Sequence, residues 1–509
     1  MARAKGRKRQ RRRDSGGLKQ PPQRAIVNPY DPIEVLQEEQ IERIHEGSLT
    51  VLETIGMKIM SPEARDILHK AGADVDESTQ QVRYDRGLIL ESIAHAPAEF
   101  TLHARNPANN VTFGGNRIIF TPVSSAPNCS DEDRGRRPGT YEDFSNFLRL
   151  AQSFNILQFI GGYPVEPLDL PVPTRHLDCY YGFITLTDMA WRTYALSRQR
   201  CIDGIEMNCI ARGISRDELA REPGLMTMIN TNSPLMLDGA MAEGIIEMAQ
   251  AGQAVAITPF TLAGAMAPIT LAGALTQQNA EALATLAFTQ MVKTGTPVMY
   301  GGFTSNVDMK TGAPAFGTPE QAVATLAGGQ LARRYAIPYR SSNVNASNAV
   351  DAQAAYESEM AVWSAVMGHA NMIHHGAGWL EGGLCASFEK MIIDAEILQM
   401  MAAFLEPIEV NDATLGLDAM AEAGPGGHFF GTAHTLERYE TAFYAPIVSD
   451  WRNFETWQEH GSLTATQRAN GIWKQMLVDY EQPPLDAAID EELKAFITKR
   501  KEEEEGSAV

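Results

Sequence analysis

From about residue 116 onward, short runs rich in β-branched and aromatic residues alternate with longer stretches whose apolar positions recur every three to four residues. The short runs predict strands at Arg117–Pro122, Leu157–Gly162, Thr193–Ser197, Leu225–Thr231, Ala254–Pro259, Pro297–Gly302, Pro338–Asn343 and Asn371–His375. The longer stretches predict helices near 141–153, 175–190, 200–213, 238–252, 275–294, 318–335, 351–369 and 386–404. Eight strands, each followed by a helix over roughly 290 residues, match the rhythm of a (β/α)8 TIM barrel in the α/β class. A doubly wound sheet also alternates, but no Gly-rich phosphate turn follows the first strand.

Around this expected barrel of residues 116–405, the pattern marks four further regions. Residues 1–29 read as a disordered basic leader and 30–115 as a mainly helical N-terminal appendage. An aromatic-rich C-terminal extension covers 406–490, and 491–509 reads as a charged, solvated tail.

In such barrels the chemistry gathers just after each strand, so strand-end residues are the functional candidates. Here they include Ser124, Tyr163, Phe303, Asn343, Asn345, Asn348 and the segment IHHGAGWLEGG, Ile373–Gly383. A mouth lined by amides, hydroxyls and aromatics, with few carboxylates, suits a cationic or zwitterionic small molecule better than a phosphorylated one. Adjacent histidines on an extended segment point to opposite faces, so one of His374 and His375 is expected to face the barrel axis and the other to pack outside. Diverging rings cannot ligate one ion together, and His428 and His434 lie far along the chain, so no metal site is expected.

Composition narrows the class. With 44% hydrophobic and 21% charged residues, the chain falls in the ordinary globular range. No run approaches the ~18 apolar residues of a spanning helix. Residues 1–20 hold nine Lys or Arg against one Asp, a surplus of eight positive charges; taking it from the net −20 leaves −28 on the remainder. So acidic a body argues against nucleic-acid binding. Five scattered cysteines without CxxC spacing suggest neither a disulfide framework nor a zinc knuckle, and a cytoplasmic protein is expected.

Several longer segments carry a family likeness: LAGALTQQNAEALA (Leu271–Ala284), PVMYGG from Pro297 continuing into DMKTGAPAFGTPE (Asp308–Glu320), VDAQAAYE (Val350–Glu357), GWLEGG from Gly378, and GHFFGTAHTLERY (Gly427–Tyr439). Over most of residues 35–450 the chain resembles the trimethylamine methyltransferase family, which includes pyrrolysine-free homologues that demethylate quaternary amines such as glycine betaine. The resemblance implies a barrel enzyme that passes a methyl group from an N-methyl amine to the cobalt of a corrinoid carrier protein, with no cofactor held tightly by the chain itself. It also implies that Asn348 stands where members acting on trimethylamine carry pyrrolysine. An amide cannot replace an electrophilic imine, so the expected donor is a quaternary amine, already cationic, whose leaving group is a neutral amine.

A tetraalkylammonium offers no N–H, so its recognition must rest on apolar contact and aromatic faces, for which Tyr163, Phe303, Tyr356 and Trp379 are the candidates. A betaine carboxylate calls for an imidazolium or amide donors, which His374 or His375 with Asn343 or Asn345 can supply. Glu381 can balance the ammonium or simply cap the loop. His374, Glu381 and Asn348 are thus the catalytic candidates and the other seven the substrate-binding ones. A homo-oligomer is expected. A lyase or aldolase is the competing enzyme class, but Lys293 and Lys310 fall at a helix end and in a loop. A trimethylamine-type enzyme for another methylated amine, or a methylamine-binding barrel without catalysis, stays open.

Overall fold

The computed structural model describes residues 18–507 of the 509. Eight parallel strands form its centre: β1 (Arg117–Pro122), β2 (Phe159–Ile160), β3 (Ala190–Thr193), β4 (Leu225–Ile229), β5 (Ala254–Ile257), β6 (Val298–Gly301), β7 (Tyr339–Ser342) and β8 (Met372–Ala377). They run side by side from β2 through β8 to β1, and Ile26–Val27 adds a ninth, antiparallel strand on β1. The sheet curls so far that Phe120 of β1 forms a parallel bridge with Leu157, and Gln158 N donates to the Phe120 carbonyl (3.0 Å).

Each strand precedes a helix: α1 (Tyr141–Ser153), α2 (Arg175–Leu186), α3 (Arg198–Arg212), α4 (Gly239–Gln250), α5 (Leu271–Val292), α6 (Pro319–Arg334), α7 (Ala352–Met367) and α8 (Phe388–Phe404). Because the strands are covered on both faces, alternate residues enter two different cores. Phe120, Ile160, Trp191 and Leu225 pack outward against the helices. Ile119, Phe159, Ala190, Met226, Ala254, Met299 and Met372 meet inside the curl. A hairpin, Glu99–Leu102 with Val111–Gly114, seals the amino end of this interior with Phe100 and Phe113.

The third strand lies earlier than the pattern predicted, at Ala190–Thr193 and not Thr193–Ser197. The charged Arg192 interrupts the apolar run and hides the strand, while the Ser197 hydroxyl accepts from Arg200 N and so starts α3 at Arg198. A small sheet absent from the expected pattern lies beyond the carboxyl ends of β1 and β8: Asn128–Asp131, Gly135–Pro138, Trp379–Leu380 and Cys385–Ser387.

Of the expected leader, residues 1–17 lie outside the described ones. Residues 18–29 are not a free arm: Ile26 is buried, and Arg24 Nη2 donates to the Ala402 carbonyl (2.8 Å). Nor do residues 491–507 form a solvated tail. They belong to a helix, Ala487–Ser507, that buries Leu493 and Ile497 and ties Arg500 to Asp203 (2.8 Å). The KRKEEEE run looks solvated only when its partners Asp203 on α3 and Asp178 on α2 are unknown. In the C-terminal extension, Ala465–Val478 packs on α8, with Trp473 Nε1 donating to Glu389 (2.9 Å).

Candidate active site

The two histidines of β8 do not diverge. His375 takes a left-handed backbone (φ 57°), the pairing of β8 with β1 is irregular between Ile373 and Ala377, and both rings are buried with centroids 3.9 Å apart. Strand alternation holds only for extended backbone, so one residue at positive φ turns the second ring toward the first. His374 meets Thr121 Oγ1 through Nδ1 (3.0 Å) and Ser124 Oγ through Nε2 (2.9 Å). His375 Nδ1 accepts from Ser124 N (3.2 Å), which leaves its ring proton on Nε2. The close approach requires Gly161, since a Cβ there would lie 2.4 Å from His374 Cε1. Burial, then neighbouring positive charge from Arg340 and Arg192, holds both imidazoles well below their ordinary pKa, so they are neutral at pH 7. Neither ring is therefore the imidazolium that the sequence suggested for an anion.

Those two arginines were not among the expected residues. Arg192 of β3 and Arg340 of β7 face inward from mid-strand and are 8% and 3% exposed. Arg192 Nη1 donates to the Gly161 carbonyl (3.2 Å), and its guanidinium lies 4.3 Å from the Tyr194 ring centre. That of Arg340 lies 5.3 Å from the Phe303 ring centre. Arg192 Nε and Arg340 Nε and Nη1 are buried without a hydrogen-bond partner. Desolvation and the charge of Arg192 push the Arg340 pKa down to about 9. The available signal was a charged residue on the same strand face as Ala190, between Trp191 and Thr193.

Beyond the strand ends the rings gather. Phe303 follows β6 and sits 5.2 Å from Phe260, 5.4 Å from Phe316, 6.3 Å from Trp379 and 6.4 Å from His375. His375 and Trp379 lie 4.2 Å apart. Trp379 is held by reciprocal bonds with Asn345: its Nε1 donates to the Asn345 carbonyl (3.2 Å), and Asn345 Nδ2 to the Trp379 carbonyl (2.7 Å). Asn343 Nδ2 donates to the Gly376 carbonyl (2.8 Å), so the two asparagines hold the end of β8 and the loop after it. A buried ion pair beneath it, Lys390 with Asp394, completes the support: Asp394 accepts from Gly378 N (2.8 Å), and Lys390 Nζ donates to Ser358 Oγ (2.7 Å). Among the described residues, no group of three or more His, Cys, Asp or Glu is arranged to hold a metal.

Comparison with known proteins decides the family. Residues 3–505 match the sequence profile of trimethylamine methyltransferase (MTTB). The chain belongs to the trimethylamine methyltransferase family. A glycine betaine methyltransferase of Desulfitobacterium hafniense (strain Y51) is 37% identical over 470 residues, which cover 92% of this chain and 97% of that protein. The trimethylamine methyltransferase MttB of D. hafniense (strain DSM 10664 / DCB-2) is 29% identical over 478 residues, 92% and 94% of the two chains. Among solved structures, a hydroxylamine complex of MtmB aligns with 88% of this chain and 93% of its own, at 11% identity and a TM-score of 0.48. Membership makes the chain an enzyme, a corrinoid-dependent methyltransferase like others of the trimethylamine methyltransferase family.

Within this methyltransferase, the structure brings together Phe303, His374, His375, Trp379 and the two asparagines. It sets four expected residues apart. The Tyr163 ring packs against Phe144 and Phe183 on the helix side, with Tyr194 4.2 Å away. Tyr356 is 62% exposed on α7. Asn348 is exposed in the loop before α7. Glu381 bonds both carboxylate oxygens to Arg136 Nε of the small outer sheet (3.0 and 2.9 Å). Phe260 and Phe316 were missed like the arginines: Phe260 directly follows the fifth predicted strand, a signal that could have found it, whereas Phe316 lies in the long loop before α6.

Proposed function

We propose that this methyltransferase takes a methyl group from a quaternary ammonium, glycine betaine foremost, and gives it to the Co(I) of a corrinoid carried by a separate protein. The observation that carries this reading is the ring set of Phe260, Phe303, Phe316 and Trp379 beside the neutral His375, a surround that attracts a cation without offering an acid or a nucleophile. The 37% identity to a glycine betaine methyltransferase supports the same donor. The C–N bond breaks with its electron pair kept by nitrogen, which leaves as a neutral tertiary amine, and the cobalt's pair forms the new bond. No proton moves, so the chain's task is to position and desolvate the donor.

His374 then orients the wall behind the donor, Glu381 with Arg136 fixes the loop edge, and Asn348 marks an outer position. We read the curled sheet as a closed (β/α)8 barrel, on the strength of the Phe120–Leu157 bridge. The domain limits proposed are an N-terminal appendage up to residue 115, the barrel over 116–405 and a C-terminal extension from 406 onward. A cytoplasmic homo-oligomer fits two further features: among the described residues no helix is long and apolar enough to cross a membrane, and the C-terminal extension leaves Ile408, Phe430 and Phe443 at least 83% exposed.

The test mixes the full chain with glycine betaine and a Co(I) corrinoid and follows the methyl-cobalt absorbance. Methylation is expected, and Trp379→Ala should weaken betaine binding by about tenfold, a typical loss for one desolvated cation–ring contact. Absence of methyl-cobalt with every quaternary amine tried would overturn the reading.

A further inference from the structure

Two buried guanidinium groups act on the same pair of histidines with no carboxylate paired to either: among the described residues, neither Arg192 nor Arg340 takes part in an ion pair, and three of their N–H-bearing nitrogens are buried without partners. An arginine does not shed its charge at neutral pH, and leaving such a charge buried and unpaired is strongly destabilising. Two of them, on strands facing each other across the interior, repel as well. A fold keeps such a pair when an anion completes it. Around them are further polar atoms of the same interior: Ser342 Oγ, two residues along the inward face from Arg340, and Thr258 Oγ1 are also buried and unpaired.

Geometry ties this positive site to the ring set. Phe303 is shared, because one ring lies 5.3 Å from the Arg340 guanidinium and within 6.4 Å of both the Trp379 and His375 rings. The arginines belong to the strands and the rings to the loops just after them, so a molecule spanning both would carry its negative end inward and its ammonium outward. With one ring between the two subsites, only a short spacer fits. A carboxylate matches the planar guanidinium fork, which binds it through paired N–H donors.

We propose that Arg192 and Arg340 form a carboxylate-binding site beneath the aromatic set, so that this enzyme selects short zwitterions bearing a carboxylate close to a quaternary nitrogen over cations that lack one. This rests on the preceding reading of the rings as the ammonium site and adds the group that sets specificity. The arginines hold the acid end, and the methyl groups are thereby directed outward, toward the acceptor.

Calorimetry on the full chain with glycine betaine, choline and acetate separates the possibilities. Betaine should bind at least tenfold more tightly than choline. Arg340→Met and Arg192→Met should each lose about 10- to 100-fold for betaine, the range for a hydrogen bond to a charged group, with no loss of choline affinity. Acetate alone should raise the thermal midpoint of the wild-type chain, and more than chloride at equal ionic strength. That measurement stands even where a variant fails to fold. Equal affinity for betaine and choline together with no acetate stabilisation would overturn the proposal, and so would variants that lose both ligands equally. A chain that methylates no corrinoid yet shows acetate binding abolished by Arg340→Met would refute the methyl-donor reading while leaving the anion site in place.

Discussion

At the scale of single residues, position within the fold decides what a side chain can do. His374 and His375 carry the residue type of a proton carrier, but each is buried beside two guanidinium groups that oppose a third positive charge. The unfolded chain takes up protons on both near the ordinary value of 6.5, and the folded chain does not. Their folded pKa is depressed, so the stability they contribute is fully present above pH 6.5 and is lost as pH falls below it. Urea midpoints should hold steady above pH 7 and fall from 6.5 to 5, with a slope approaching about 1.4 kcal/mol per pH unit for each histidine. His374→Asn should flatten that slope; an identical slope in the variant would show that the decline comes from other groups.

At the scale of elements, the loop after β8 depends on a helix that contributes no ring to the site. Asp394 on α8 accepts from Gly378 N and pairs with Lys390 one turn earlier, both side chains fully buried. Removing one partner leaves an uncompensated charge inside. Lys390→Met is expected to cost about 3–5 kcal/mol in denaturant unfolding and to loosen the Gly378–Leu380 backbone. Adding Asp394→Asn, which keeps an acceptor for Gly378 N but no charge, should restore most of the loss. If Lys390→Met alone were as stable as the wild type, the ion pair would not be what anchors this loop. Hydrogen exchange at Gly378–Leu380 reads the loosening directly.

At the scale of the molecule, the acidic body and the apolar C-terminal extension pull in opposite directions. Net charge keeps copies apart, whereas exposed side chains such as Phe430 and Phe443 favour burial against another surface. Light scattering at micromolar concentration should find an oligomer, and Phe430→Asp with Phe443→Asp should shift it toward the monomer. A monomeric wild type, or an assembly indifferent to both changes, would remove this surface from the interface.

Much of the architecture was legible without coordinates. The alternation of apolar runs located seven of the eight strands and the helices between them, and set the third strand three residues too late, since local period reflects which faces are covered. The segments GWLEGG and VDAQAAYE pointed to the family that the profile match establishes, and Phe303 and Trp379 were readable as strand-end rings. Three things waited for the tertiary structure. A positive φ at His375 reversed the facing of one ring, and no alternation rule can foresee a break in the backbone it assumes. Arg192 and Arg340, 148 positions apart in the numbering, became one positive site only when β3 and β7 turned inward together. The charged C-terminal run became a docked helix once Asp203 and Asp178 supplied its partners. Periodicity is a local property of the chain, but an electrostatic partner can come from anywhere in it, and that is where sequence reading stopped.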